Sequence, residues 1–195
     1  MKSVAAALLL SLTAFAAQAA DTYAVDPSHT FANFSWLHFG YSHHRGKFTD
    51  TKGTVTLDTA KKAGNAEVTI QVASIDTGVP KLDTHLKSPD FFDAEKYPTI
   101  TFKSKQFNFE GDRLASVAGD LTVHGVTKPV TLKVTHFLCQ PHPMMKIPVC
   151  GADAETQIKR SDFGMGAYVP AVSDEIDLAI EIEAQAKKEA GPKGQ

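Results

Sequence analysis

Apolar and polar residues alternate along most of this chain, which is the pattern of β-strands that bury one face. The alternation is strictest near the carboxyl end, where Ile176, Leu178, Ile180 and Ile182 are separated by acidic residues or alanine. Similar apolar stretches predict strands over residues 22–25, 30–38, 47–58, 67–73, 99–104, 114–123, 129–137, 155–160 and 175–183. We therefore expect eight or more short strands.

One segment, residues 76–104, interrupts this pattern. It opens with turn-forming residues, and residues 81–87 then provide about two turns of helix-compatible sequence before the aromatic pair Phe91 and Phe92. Alternation resumes at Thr99, directly after a proline. A chain of strands with one helical crossover predicts an all-β barrel or sandwich in which the crossover covers one end.

The connections favour a barrel over a sandwich. Hairpin turns are predicted at residues 110–112 and 124–128, and a further turn at residues 40–46; Gly53 suggests a bulge or bend within its strand. Strands joined mostly by hairpins form antiparallel sheets, and closing such a sheet removes its exposed edges. We expect an antiparallel barrel of about eight strands, which is wide enough to enclose one small or slender ligand.

The amino-terminal residues predict export. Lys2 precedes an apolar run at residues 5–16, and Ala17-Gln18-Ala19 is a small-x-small cleavage signal. We expect cleavage after Ala19, a barrel domain over residues 20–186 and a polar tail over residues 187–195. The cleaved chain would keep 19 of the 20 basic residues against 22 acidic ones, for a formal charge of −3. It has no basic stripe, which argues against a nucleic-acid partner.

The two cysteines, Cys139 and Cys150, bound a segment with three prolines that suggests an irregular loop. In an oxidising compartment, a disulfide that closes this loop is the simplest interpretation. A metal pair or a redox-active dithiol is the alternative, but the close Cys-x-x-Cys spacing typical of those sites is missing.

The sequence contains 12 phenylalanines, and several lie on the predicted apolar faces, including Phe34, Phe48 and Phe102 beside Trp36. Such residues are most often a packed core. The alternative is an apolar tunnel for a hydrophobic chain, which needs many apolar walls and few polar groups.

The histidines give no clear metal site, and we expect no metal or cofactor. His43 and His44 are adjacent and would point to opposite sides of a strand, and neither they nor His38 have an acidic residue at a recognisable metal spacing. No common catalytic motif is present. His85 with Lys81 or Lys87 could bind an anionic head group, and on a helix Lys81 shares a face with His85 whereas Asp83 does not. The alternative, which we favour slightly, is a short helix held only by its own capping and hydrogen bonds.

Five stretches of the chain resemble the YceI family of exported, lipocalin-like polyisoprenoid-binding proteins. They are HTFANFSWLHFGYSHHRGKF (29–48), SIDTG (74–78), LDTHLKSPDFFDAEKYPTITFKS (82–104), GDLTVHGVTKPVTL (119–132) and IKRSDFGM (158–165). The resemblance covers nearly the whole chain after the signal peptide. It implies a lipocalin-like barrel in the periplasm that encloses an apolar channel and has no catalytic residues.

The resemblance also implies a set of ligand-binding residues, of which the channel wall forms the larger part and the helical segment guards one end. The set is Ala32, Phe34, Trp36, His38, Phe48, Ile70, Val72, Asp83, His85, Leu86, Phe91, Phe92, Ile100, Phe102, Leu121 and Val123.

The leading hypothesis is a periplasmic binding protein that holds a long isoprenoid-type or other amphiphilic lipid, such as a polyprenyl phosphate or a quinone tail, for sequestration or transport. Transient contact with a membrane or a membrane protein would fit this role. One alternative is an enzyme that acts on such a lipid through His85 with Asp83 or His38. Another is a dimeric interaction module without a ligand, supported only by the outward-facing Phe31 and Leu37.

Overall fold

A computed structural model describes residues 20–187. The predicted signal peptide and residues 188–195 of the predicted tail lie outside the described residues. The strands are β1 (Asp21–Val25), β2 (Phe31–His38), β3 (Ser42–Phe48), β4 (Thr51–Asp58), β5 (Ala63–Gln71), β6 (Ile75–Asp76), β7 (Thr99–Glu110), β8 (Arg113–Val123), β9 (Val126–Pro141), β10 (Pro148–Lys159) and β11 (Glu175–Ala186), with one helix, α1 (Pro80–Leu86). Single 3-10 turns occupy Val72–Ser74 and Arg160–Phe163.

The strands form a closed antiparallel barrel, as the alternating pattern predicted. Its hydrogen-bonded order is β1-β4-β5-β7-β8-β9-β10-β11, and β11 pairs back with β1. The amino-terminal part of β11, residues 177–181, pairs instead with β2, and β2 pairs with β3. The successive strands β1 and β2 thus act as one bent strand, and so do β3 and β4. Counted in this way, the barrel has eight strands.

The two ends of the barrel are built differently. One end, called the mouth here, carries the β2–β3 turn, the crossover 72–98 with α1, the β8–β9 turn and the segment 160–174. The other end, called the base, carries three short hairpin turns, β4–β5, β7–β8 and β9–β10. The helix begins one residue earlier than predicted because Pro80 suits the first helical position. The crossover covers one end of the barrel, which confirms the interpretation of this segment.

The helix is held by its apolar side. Leu86 is buried in the same cluster as Val72, Ile75 and Met165, and Leu82 packs against that cluster. Leu82 and Leu86 are four residues apart and therefore share one face of the helix. Burial of this face attaches α1 to the barrel wall, because a seven-residue helix has little stability of its own.

Several local predictions are wrong. The predicted turn at residues 124–128 is shorter than expected, because β9 already begins at Val126. Residues 40–46 were expected to form a turn, but β3 already begins at Ser42, and only residues 39–41 turn, with Phe39 and Gly40 at positive φ. Gly53 forms no bulge, because it pairs regularly with Val68. A Cβ at Gly53 would lie 2.4 Å from the carbonyl oxygen of Glu67, so this glycine lets the two strands approach closely.

The disulfide between Cys139 and Cys150 is present, but the segment around it is not the irregular loop we expected. Cys139 in β9 lies directly opposite Cys150 in β10, so the bond joins two paired strands. The ladder ends at the pair Pro141 and Pro148. Proline has no backbone N–H, but at the last pair of a ladder this missing donor costs the sheet no hydrogen bond. The prolines are therefore compatible with the strands because they lie at the strand ends.

Candidate functional site

The barrel encloses a cavity of about 590 Å3 whose wall is mostly apolar. The inward residues of β11 show its extent, since every second residue from Ile176 to Ala184 lines it. A strand rises about 3.3 Å per residue, so this row of side chains is roughly 26 Å long. The cavity thus follows the barrel from the mouth to the base, and its volume falls within the usual range for ligand pockets.

Of the sixteen predicted ligand-binding residues, fourteen line this cavity. They are Ala32, Phe34, Trp36, His38, Phe48, Ile70, His85, Leu86, Phe91, Phe92, Ile100, Phe102, Leu121 and Val123. The inward face predicted for residues 30–38 thus lines the cavity, and Phe31 and Asn33 of the opposite face border it as well, although Phe31 was expected to face outward. Whether these side chains contact a ligand stays a prediction.

Val72 and Asp83 lie elsewhere. The strand pattern ends at Gln71, and Val72 begins a 3-10 turn that places its side chain in the core beside Ile75. The Asp83 carboxylate accepts hydrogen bonds from the backbone N–H of Thr77 at 2.9 Å and from its hydroxyl at 2.6 Å. Asp83 thus fixes the turn that leads into α1, and it does not face the cavity.

Several phenylalanine rings of the wall lie over glycines of the barrel. A Cβ on Gly46 would lie 2.5 Å from the tip of the Phe34 ring, and one on Gly119 would lie 2.7 Å from Phe102. The same holds for Gly64 beneath Phe107, at 2.8 Å. Each ring occupies space that a side chain would fill, so it lies against the sheet and leaves the lumen open.

A buried arginine at the mouth was not predicted as a site residue. Arg160 is 5% exposed and lines the cavity. Its Nε donates to the carbonyl oxygen of Ser173 at 2.9 Å, its Nη2 donates to that of Val172 at 3.0 Å, and its Nη1 donates to that of Met165. Burial lowers the pKa of Arg160, whereas the Asp174 carboxylate raises it. Sequence reasoning missed this residue because arginines are seldom fully buried.

Three histidines and a tyrosine also line the cavity at its mouth. The rings of His38 and His44 stack with their centroids 4.7 Å apart. His85 lies edge-on to Tyr168, with a centroid distance of 6.0 Å, and its Nε2 is 3.6 Å from the Asp90 carboxylate. His44 lines the cavity whereas its neighbour His43 is absent from the lining, as expected for adjacent residues of a strand.

This arrangement does not bring Asp83 to His85, which one of the catalytic pairs considered above requires. Asp83 is bonded to Thr77, and the carboxylate beside His85 belongs to Asp90. Within residues 20–187, no group of three or more His, Cys, Asp or Glu side chains could hold a metal ion. Among the same residues, no helix is long and apolar enough to cross a membrane.

Comparison with known proteins gives the family. The family model of the YceI-like domain matches residues 23–184. The chain belongs to this family. It is 40% identical over 182 residues to Protein YceI of Escherichia coli O157:H7, a match that covers 92% of this chain and 94% of that protein.

Solved structures agree with the barrel. The crystal structure of BcnA from Burkholderia cenocepacia matches with a TM-score of 0.70 at 28% identity, covering 82% of this chain and 98% of that one. A polyisoprenoid-binding domain of Saccharophagus degradans, implicated in plant cell wall breakdown, matches with a TM-score of 0.64. Its identity is 17% over 85% of this chain and 98% of that one, so it is similar in fold. Both matches support the barrel fold of this chain.

Proposed function

We propose that the protein binds a long amphiphilic lipid of the isoprenoid type, with the tail inside the barrel, and that it sequesters or carries this lipid in the periplasm. The observation that carries the proposal is the cavity of about 590 Å3, which has a nearly continuous apolar wall from mouth to base. A polyisoprenoid-binding domain with the same fold supports the ligand class.

The physics of the wall favours a long tail. Each methylene group removed from water contributes about 0.8 kcal/mol, so affinity should rise with tail length until the cavity is filled. Apolar contacts discriminate weakly between chains of similar width. The barrel should therefore select length and slenderness, and specificity for one lipid has to come from polar groups.

Native mass spectrometry of the protein purified from the periplasm tests the proposal, followed by extraction and identification of the bound molecule. We expect a copurified prenyl lipid or quinone. A protein of unliganded mass that also fails to bind added prenyl lipids would contradict the proposal.

A pair of variants on β11 tests the location. Ile180→Glu places a charge in the cavity wall, whereas Ala179→Glu places the same charge on the exposed face one residue away. We expect Ile180→Glu to abolish lipid binding and Ala179→Glu to retain it. Circular dichroism of both variants would show that each is folded, and equal binding by the two would exclude the barrel interior as the site.

Export can be tested separately. We expect cell fractionation to recover the protein with periplasmic markers and amino-terminal sequencing to begin at Ala20. Recovery of the full-length chain in the cytoplasm would contradict the proposed compartment and leave the binding proposal intact.

A further inference from the structure

We propose that the mouth of the cavity recognises an anionic head group, and that Arg160 with His38 and His44 forms the recognition site. The ligand would then be a lipid phosphate or another lipid oxyanion in preference to a neutral alcohol. This inference rests on the proposed function, because it concerns the polar end of the same ligand.

The first step is the charge of the cavity wall. Among the residues of the described chain that line the cavity, none is aspartate, glutamate or lysine, and Arg160 is the one with a permanent charge. The histidines His38, His44 and His85 also line the cavity. A cavity whose wall carries only positive or neutral groups favours a negative ligand over a positive one.

The second step is the position of these groups. His38 forms a β-bridge with Val172, and the carbonyl oxygen of Val172 accepts the hydrogen bond from Arg160 Nη2. His44 stacks on His38, and both histidines line the same cavity as Arg160 at the mouth. The wall near the base is formed instead by Leu57, Phe137 and other apolar residues. An amphiphile therefore fits with its tail toward the base and its head at Arg160.

The third step is the bonding capacity of Arg160. A guanidinium has five N–H donors, and carbonyl oxygens take up one on each of its three nitrogens. One donor remains on each terminal nitrogen. Within residues 20–187, no carboxylate lies within 4.0 Å of this guanidinium, and the nearby Asp174 accepts hydrogen bonds from Ser161 instead.

A buried cation without a contacting anion is costly, since charges interact strongly in a medium of low dielectric constant. An oxyanion in the cavity would accept hydrogen bonds from the two remaining N–H groups and would neutralise the positive charge of the guanidinium. Arginine suits this task, because its planar fork matches the spacing of phosphate and carboxylate oxygens. The carbonyl bonds of Arg160 hold the fork in place before the ligand arrives.

The test compares two ligands with the same tail, geranylgeranyl monophosphate and geranylgeraniol. Trp36, the single tryptophan, lines the cavity, so its fluorescence can report binding of both. We expect the phosphate to bind at least about tenfold more tightly, a preference of about 1.4 kcal/mol. Arg160→Gln and His38→Gln should each lower this preference, whereas His43→Gln, on the outer face of β3, should keep it.

The ratio of the two dissociation constants separates recognition from a purely structural role, because general damage to the mouth weakens both ligands together. Equal binding of phosphate and alcohol by the unaltered protein would overturn this inference and leave the proposed function standing. Failure to bind either ligand would overturn the proposed function itself. If Arg160→Gln does not fold, the ratio measured for His38→Gln decides: an undiminished preference would overturn the site.

Discussion

Two buried threonines at the bends of the barrel differ in the hydrogen bonds of their hydroxyl groups. Thr30 lies before β2 and Thr51 begins β4, and their exposed fractions are 1% and 2%. The Thr30 hydroxyl donates to the carbonyl oxygen of Glu183 at 3.3 Å and accepts from its N–H at 3.1 Å. Within residues 20–187, the Thr51 hydroxyl is the buried side-chain group without a hydrogen-bond partner. A buried hydroxyl without a partner destabilises the folded state.

Replacing Thr51 by valine, which has nearly the same shape, should therefore stabilise the protein. We expect Thr51→Val to raise the free energy of unfolding by about 1 kcal/mol, since it removes an unpaired polar group. Thr30→Val should lower it by about 1–3 kcal/mol, because the N–H of Glu183 loses its acceptor. Urea denaturation of the two variants measures both changes. Equal destabilisation by both would mean that the Thr51 hydroxyl is paired in solution.

Asp174 gives the segment behind Arg160 a dependence on pH. Hydrogen bonds from the Ser161 hydroxyl and backbone N–H lower the pKa of Asp174, and the charge of Arg160 lowers it further. A carboxyl group whose folded pKa lies below its unfolded value of about 3.9 stabilises the protein above that value. This stabilisation is lost as the pH falls through the folded pKa.

We therefore expect Asp174→Asn to lower the melting temperature at pH 7 and to have progressively less effect below about pH 4. Thermal denaturation of both proteins at pH 7 and pH 3 provides the comparison. An equal difference at the two pH values would show that the charge of Asp174 is not the source of its effect.

At the scale of the element, the phenylalanine rings over glycines keep the cavity wide. The Phe34 ring lies where a side chain of Gly46 would be, and only the tip of the ring is in the way. An added methyl group at Gly46 would turn the ring into the lumen. By contrast, a Cβ on Gly151, which also lines the cavity, would find its nearest neighbour at 3.8 Å.

Gly46→Ala should thus weaken the binding of a long prenyl lipid, while Gly151→Ala should leave it unchanged. We expect Gly151→Ala to stabilise the fold by up to about 1 kcal/mol, because alanine restricts the unfolded chain more than glycine does. Titration by Trp36 fluorescence and denaturant unfolding give the two quantities. Unchanged lipid affinity in Gly46→Ala would show that the position of the Phe34 ring does not limit the cavity.

The disulfide across β9 and β10 is a second feature at this scale. It closes a short loop at the base, with a sequence separation of 11. Closure of a loop of this length stabilises a protein by about 3 kcal/mol in the chain-entropy model. We expect the double variant Cys139→Ala/Cys150→Ala and the reduced protein each to lose about 2–3 kcal/mol of unfolding free energy. A loss near zero would mean that strand pairing alone holds the hairpin.

Strand periodicity made most elements predictable from the sequence. The strict alternation in β11 and the apolar faces of β2 and β9 gave both the strands and the residues that face the cavity. The pattern did not predict most of β3, because His43, His44 and Arg45 are all polar although they form a regular ladder with β2. The prolines near Cys139 also suggested an irregular loop in place of paired strands. The sequence alone does not show whether a proline lies at the end of a strand, where it is tolerated, or in its middle.

At the scale of the whole molecule, the barrel and its inward wall followed from local patterns, whereas the mouth did not. Val172 pairs with His38 and accepts a hydrogen bond from Arg160 only because the segment 160–174 folds across the end of the barrel. The alternation of apolar and polar residues does not predict contacts of this kind between distant segments. Val72 shows the opposite error, since a strand pattern that continued by one residue placed it on the wall, although the chain had already turned into the core.

The order of the strands also constrains when the protein can finish folding. Most neighbours in the barrel are successive along the chain, so each hairpin can form as soon as its two strands exist. The closing contacts are different, because Tyr23 and Val25 pair with Ala186 and Ala184 in the last strand. Until β11 emerges from the ribosome or an export channel, β10 and the first two strands keep unpaired backbone groups that can join other chains. The time between synthesis of the first strand and arrival of the last is therefore the period in which the chain is most open to pairing with other chains.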